Sequence, residues 1–183
     1  MVEPFPDHDL VTAVRAGDRA AAEALVDRTY TTVFRVLCQL CHGNSDRAAD
    51  LTQETYRRAW AGLDRFEGRC SFSTWLCRIA YNSFIEEVRK PHPPVMDPPE
   101  RDVAFSLAAD QDESLIHDEQ TRALRRAVLE LPEDLRFAVV AHFWADATLA
   151  EIARLEGVTA TAVHKRLRRA LKALEAALAR TVS

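Results

Sequence analysis

Glycine is scarce here, five residues in 183, and proline supplies only eight more, which leaves little room for low complexity. No internal repeat is visible. No apolar run approaches the roughly 18 residues that a membrane-crossing helix needs. The N-terminus, Met1 to His8, has neither the basic stretch nor the apolar stretch of a secretory signal. A chain with these absences is expected in the cytoplasm, with no membrane insertion of its own. Cys38, Cys41, Cys70 and Cys77 would there remain mostly reduced. An excess of positive charge is also lacking, since the formal net charge is −4. That sign does not exclude nucleic acid, because the field at a contact depends on local charge and the last segment is locally basic. An acidic remainder suggests a surface that meets a basic protein partner. No Ser/His/Asp arrangement, phosphate-cradling glycine loop or carboxylate pair suited to acid–base work is visible. Catalysis, a cofactor and a small-molecule substrate are therefore not expected.

What is present is helix. Hydrophobic residues make up 48% of the chain, enough for real cores, and no convincing strand alternation occurs. Asp7 and Asp18 suit the caps of a short helix and a longer one through about Cys41. After Gly43-Asn44-Ser45 a helix is predicted from Asp46 to Leu63, then a loop over 64–72, then a helix from the Ser71 or Ser73 cap to Lys90. Pro91-His92-Pro93-Pro94-Val95-Met96-Asp97-Pro98-Pro99 removes donors and forces extended backbone. Beyond it, Pro132 suits the first turn of a helix from Glu133 to Trp144. Thr148-Leu149-Ala150-Glu151 is a capping box. Gly157 then ends a short helix, and Thr159 caps a long one. The prediction is an all-α chain of two small helical domains, over 5–91 and 113–181, joined by a flexible proline-rich linker over 92–112.

Three helix faces carry chemistry. On the last helix, Val163, Leu171, Leu174 and Leu178 fall within roughly 40° of Leu167, while Thr161, Ala162, Lys165, Arg169 and Lys172 fall opposite. One side buries and the other presents cations and small groups, which with the preceding short helix and glycine turn is the layout of a DNA-reading helix-turn-helix. Between Ser73 and Lys90, Leu76, Cys77, Ala80, Phe84 and Val88 form a core stripe. Trp75, Arg78, Asn82, Glu86 and Arg89 share another side. A ring that can stack on a base, guanidinium for phosphate and an amide for a base edge suit unpaired nucleic acid. The same side could equally be a solvated face with Trp75 packed under the loop. That loop offers Phe66, Gly68, Arg69, Ser71 and Phe72, either as a pocket for an extruded base or as a connector whose rings plug the core. On the helix before it, Asp50, Gln53, Glu54 and Arg57 lie together with Leu51 beside them, away from the expected core. This reads as a docking surface for a basic helix or as a solvated face with one stray leucine.

Ala49 to Trp60, then Phe66-Glu67-Gly68, Phe72 to Asn82 and Arg89-Lys90, closely resemble region 2 of bacterial sigma-70 family RNA polymerase sigma factors. Leu131 to Arg136, Leu149 to Ala153 and Gly157 to Val163 resemble region 4 of the same family. Order, spacing and the missing region 3 match the small extracytoplasmic-function (group 4) class. The resemblance implies that Asp50, Leu51, Gln53, Glu54 and Arg57 bind core RNA polymerase. It implies that Phe66, Gly68, Arg69, Ser71, Phe72, Trp75, Arg78, Asn82 and Arg89 open the −10 promoter element and hold its unpaired strand. Thr159, Thr161, Ala162, His164, Lys165, Arg166, Arg168 and Arg169 would enter the −35 element. An anti-sigma factor is implied as a further partner. The chain departs from the family in carrying Glu86-Glu87 where Asp often stands, and in opening its last helix with alanines.

Two other readings remain open at this level. The chain could be a polymerase-independent helix-turn-helix regulator, which would footprint promoter DNA unaided. Cys38-Gln39-Leu40-Cys41-His42 matches a haem-attachment pattern and could start a zinc site or a redox thiol pair, although cysteines three apart in a helix also line cores.

Overall fold

In the computed structural model, which describes residues 7–90 and 111–181 with side chains at 119–180 in the second stretch, every regular element is helical. The first half contains α1 (His8–Arg15), α2 (Arg19–Leu40), α3 (Ser45–Ala61), a single 3-10 turn at Leu63–Arg65, and α4 (Phe72–Arg89). The second contains α5 (Gln111–Glu130), α6 (Glu133–Val139), a π-helical turn at Val140–Trp144, α7 (Leu149–Glu156) and α8 (Ala160–Thr181). The linker expected over 92–112 lies outside the described residues, apart from its last two positions, which begin α5.

Local chemistry explains most of the boundaries. The Asp18 carboxylate accepts from the amides of Ala20 and Ala21, Asn44 from that of Arg47, and Ser71 from that of Thr74. Each meets an amide that the first turn leaves without an intrahelical partner. Asp7 makes no such bond with its side chain. Thr148 and Glu151 exchange both bonds of a capping box. Gly157 closes α7 at φ +67°, in the left-handed region that favours glycine. The segment expected as one helix from Glu133 to Trp144 instead turns π-helical from Val140, a widening of the helix that sequence periodicity does not announce.

In the first domain α2, α3 and α4 pack mutually, and α1 lies on α2. In the second, α8 packs on α5, α6 and α7. The buried apolar side chains of the two halves nonetheless form one continuous cluster. Tyr81 of α4 and Phe137 of α6, both fully buried, meet with ring centroids 5.3 Å apart. The domains thus lie against each other, a contact the sequence does not announce.

Some expected core positions are exposed. Val88 is 53% exposed because it lies in the last turn of α4, beyond the packed layer. Leu171 is 49% exposed because the buried stripe of α8, made by Val163, Leu167, Ala170 and Leu174, centres to the other side of Leu167. Leu178 is half-buried.

Candidate nucleic-acid and partner interfaces

The loop before α4 is built to hold one shape. Phe66 and Phe72 are buried and meet edge to face at 5.6 Å, and Trp75 tilts against them at 5.2 and 5.6 Å. Trp60 stacks on Phe72 at 6.2 Å. Of the two readings open for this loop, the rings therefore plug the core, and neither Phe66 nor Phe72 is presented to a ligand. Arg15 of α1, which sequence reading passed over, donates to the carbonyls of Leu63 at 2.7 Å and Phe66 at 2.5 Å. Gly68 turns the chain at φ +68°. Arg69 is exposed and pairs with Glu67.

Beside this cluster lies a cleft of about 270 Å³ lined by Arg58, Gly62, Arg65, Trp75, Ile79, Asn82 and Glu86. Trp75 and Asn82, expected on one face, do line it together. Arg58 and Arg65 are additions from the end of α3 and the 3-10 turn. They lie too far along the chain from Trp75 for any wheel to group them. Arg58 is fixed by Glu54 at 2.5 Å and Glu86 at 2.6 Å. The opening thus combines an aromatic wall, an amide and two guanidinium groups, a suitable lining for a base and its phosphate. Arg78 and Arg89 are directed elsewhere. Arg78 pairs with Glu156 at 3.3 Å and Arg89 with Glu133 at 3.2 Å, both across the domain contact.

On α3 the polar face survives and the leucine does not. Asp50, Gln53 and Arg57 are exposed. Glu54 accepts from Arg57 at 2.7 Å twice and from Arg58, and these hydrogen bonds hold its carboxyl down at about 2. Leu51, expected on the docking face, is buried with 5% exposure. The reason is that α3 packs on both α2 and α4, which widens its buried arc to take in Ala48, Leu51, Thr52, Thr55, Tyr56 and Ala59.

The second domain presents α8 by its N-terminal half. The Thr159 hydroxyl accepts from the amide of Ala162 at 3.1 Å. Thr159, Thr161, His164, Lys165, Arg168 and Arg169 are exposed, and Ala162 is half-buried. Arg166 differs from its neighbours, being held by Glu156 at 2.6 Å and Asp134 at 3.5 Å. It ties α8 to α6 and α7 rather than facing outward.

Cys41, Cys70 and Cys77 are buried and Cys38 is half-buried. Burial pushes the thiols of Cys41, Cys70 and Cys77 up to about 12, and that of Cys38 upward too. A thiol so raised is hardly ionised at neutral pH and is a poor nucleophile. Among the described residues no group of three or more His, Cys, Asp or Glu could hold a metal ion. No helix among them is long and apolar enough to cross a membrane.

Residues 25–92 match the family described as Sigma-70 region 2, and residues 121–174 match Sigma-70, region 4. The chain belongs to the sigma-70 family, in its extracytoplasmic-function class. The first match spans the Trp75 cleft and the polar face of α3, and the second spans the helix-turn-helix. This sigma factor is 28% identical to the ECF RNA polymerase sigma factor SigW of Bacillus subtilis, over 90% of this chain and 92% of that one. It is 28% identical to the RNA polymerase sigma-H factor of Pseudomonas aeruginosa, over 97% and 96%. The ECF RNA polymerase sigma-E factor of Escherichia coli K12 is also 28% identical, over 96% and 95%. In fold it is similar to CnrH, solved in complex with the cytosolic domain of CnrY, with a TM-score of 0.67 and 21% identity over 95% of this chain and 97% of that one. It is similar too to the sigma factor RpoE of Bartonella quintana, solved with the anti-sigma factor NepR, with a TM-score of 0.57 and 20% identity over 85% and 95%.

Proposed function

We propose that this sigma factor binds core RNA polymerase, carries it to promoters with −10 and −35 elements, and opens the −10 duplex by capturing unpaired bases. It acts without catalysing a reaction, in the cytoplasm where polymerase works. The observation that carries this reading is that a stacking cleft and an exposed basic helix lie in the stretches matching regions 2 and 4 respectively. Asp50, Gln53, Glu54 and Arg57 would meet polymerase, with Leu51 supporting them from beneath. Trp75, Asn82, Arg58 and Arg65 would hold the −10 strand, with Arg78 and Arg89 on its phosphates. Phe66, Gly68, Ser71 and Phe72 would shape the loop that presents Arg69. Lys165, Arg168 and Arg169, with Thr159, Thr161 and His164, would contact the −35 groove, close to the small Ala162. Arg166 would hold that helix in place.

Opening DNA this way needs no hydrolysis. Duplex stacking is worth about 1.4 kcal/mol per step, and stacking a base on an aromatic side chain returns about 1–3 kcal/mol. A few captured bases and the polymerase contacts together can offset a short melted tract. An anti-sigma factor is proposed as the regulating partner, supported by the complex with the anti-sigma factor NepR in which the Bartonella quintana RpoE was solved. The test is run-off transcription with core polymerase on the promoter of the chain's own operon, with and without this sigma factor. Start-site selection only when both proteins are present is the expected result. Footprinting of that promoter by the chain alone would indicate a polymerase-independent regulator.

A further inference from the structure

We infer that α1 belongs to the strand-reading unit of the first domain, with Arg15 as a positioning residue that sets Arg65 in the cleft. This rests on the −10 role proposed for that cleft.

Arg58 and Arg65 line the same opening but are held there differently. Arg58 is fixed through its own side chain, by Glu54 at 2.5 Å and Glu86 at 2.6 Å. Arg65 is exposed, and among the described residues no carboxylate pairs with it. Its place is therefore set by the backbone that carries it, the 3-10 turn Leu63–Arg65. Such a turn holds itself weakly, because its hydrogen bonds are poorer in geometry than those of an α-helix. Here it is closed by the Arg65 amide on the Gly62 carbonyl at 2.9 Å and the Phe66 amide on the Leu63 carbonyl at 3.0 Å.

Arg15 supplies the missing support. A single nitrogen, Nη2, donates to the Leu63 carbonyl at 2.7 Å and to the Phe66 carbonyl at 2.5 Å, two acceptors that bracket Arg65. Hydrogen bonds from a charged donor are roughly twice as strong as neutral ones. Phe66 is buried, and among the described residues no backbone amide donates to its carbonyl, so Arg15 is the group that satisfies it. A second contact points the same way. Gly68 lies so near α1 that a Cβ on it would stand 3.5 Å from the His8 ring. The first and last residues of α1 thus meet the chain on either side of Phe66. This brace precedes residues 25–92, the stretch that matches region 2.

The test is a double-mutant cycle on the full-length chain bound to core polymerase. The probe is a labelled single-stranded oligonucleotide from the −10 non-template strand, followed by fluorescence anisotropy across a range of salt. Arg65→Ala should weaken binding roughly tenfold, as for loss of one charged hydrogen bond, and lower the salt slope by about 0.7. Arg15→Ala should weaken binding and lower the slope to a similar degree. The double variant should bind within about twofold of Arg65→Ala alone, since Arg15 acts through Arg65. Arg15→Lys keeps the charge but loses the planar fork, so it carries the same cycle if Arg15→Ala misfolds, and should also weaken binding. Losses that multiply in the double variant would mean that Arg15 meets phosphate itself or only stabilises the fold, and would overturn the inference. So would wild-type affinity in Arg15→Lys, or in Arg65→Ala. Failure of the wild-type holoenzyme to retain the oligonucleotide would sink the −10 reading, and this inference with it.

Discussion

The Arg78 guanidinium lies 4.3 Å from the centroid of the Phe137 ring, so a cation from the first domain roofs an aromatic side chain of the second. Phe137 is fully buried, and Tyr81 and Arg78 cover it from across the contact. Phe137→Ala should remove core packing and this roof together. The expected loss is about 3–5 kcal/mol, as for other buried phenylalanines cut to alanine. Urea denaturation of the free chain measures it, and a loss below about 1 kcal/mol would mean that the ring is not part of a packed core.

Trp75 stands between structure and reading, since its ring packs on Phe66 and Phe72 while it also lines the cleft. Trp75→Ala should leave polymerase binding intact, because the polar face of α3 is elsewhere, and should cripple open-complex formation. Loss of stacking for one base, at about 1–3 kcal/mol, predicts a drop of roughly ten- to a hundredfold in open complexes. Permanganate reactivity of −10 thymines is the measurement, and a normal pattern in the variant would remove Trp75 from the melting step.

Helix type and caps were readable because their causes are local. Asp18, Ser71, Thr148 and Gly157 each act within a few residues of themselves. Trp75, Asn82 and Glu86 line one cleft because they share one side of a helix, while Arg58 and Arg65 reach it only through tertiary packing. Leu51 misled because a single wheel assumes one buried face, and α3 has neighbours on two sides. Arg166 looked like its basic neighbours until Glu156 and Asp134 claimed it. The contact of Glu151 with Ser71 joins residues eighty positions apart, and no motif encodes such a pairing.

Glu151 also predicts a pH response. Burial opposes its ionisation, but hydrogen bonds from Ser71 and Thr148 outweigh that cost and bring its carboxyl from 4.5 down to about 2. A carboxyl lowered by folding favours the folded form at pH values above its unfolded value. That contribution is complete above about pH 5 and is lost as pH falls through 4.5 toward 2. Glu151→Gln should flatten this part of the stability profile while leaving the helical circular dichroism intact at neutral pH. Denaturation midpoints at pH 6 and pH 3.5 provide the comparison, and an equal fall in both proteins would assign the acid sensitivity to other groups.

On α8, exposure separates cations that sequence alone treats alike. Lys165 and Arg169 are exposed on the side away from the buried stripe, so each is placed to neutralise a phosphate and release a counterion. Lys165→Ala and Arg169→Ala should each weaken binding of the holoenzyme to promoter DNA and lower the slope of log affinity against log salt by about 1. Arg166 is already neutralised by Glu156 and Asp134, so Arg166→Ala should leave the slope nearly unchanged and instead lower thermal stability. The three variants, titrated across the same range of salt, distinguish contact from support. A slope that falls equally in all three would show that Arg166 leaves its carboxylates for DNA.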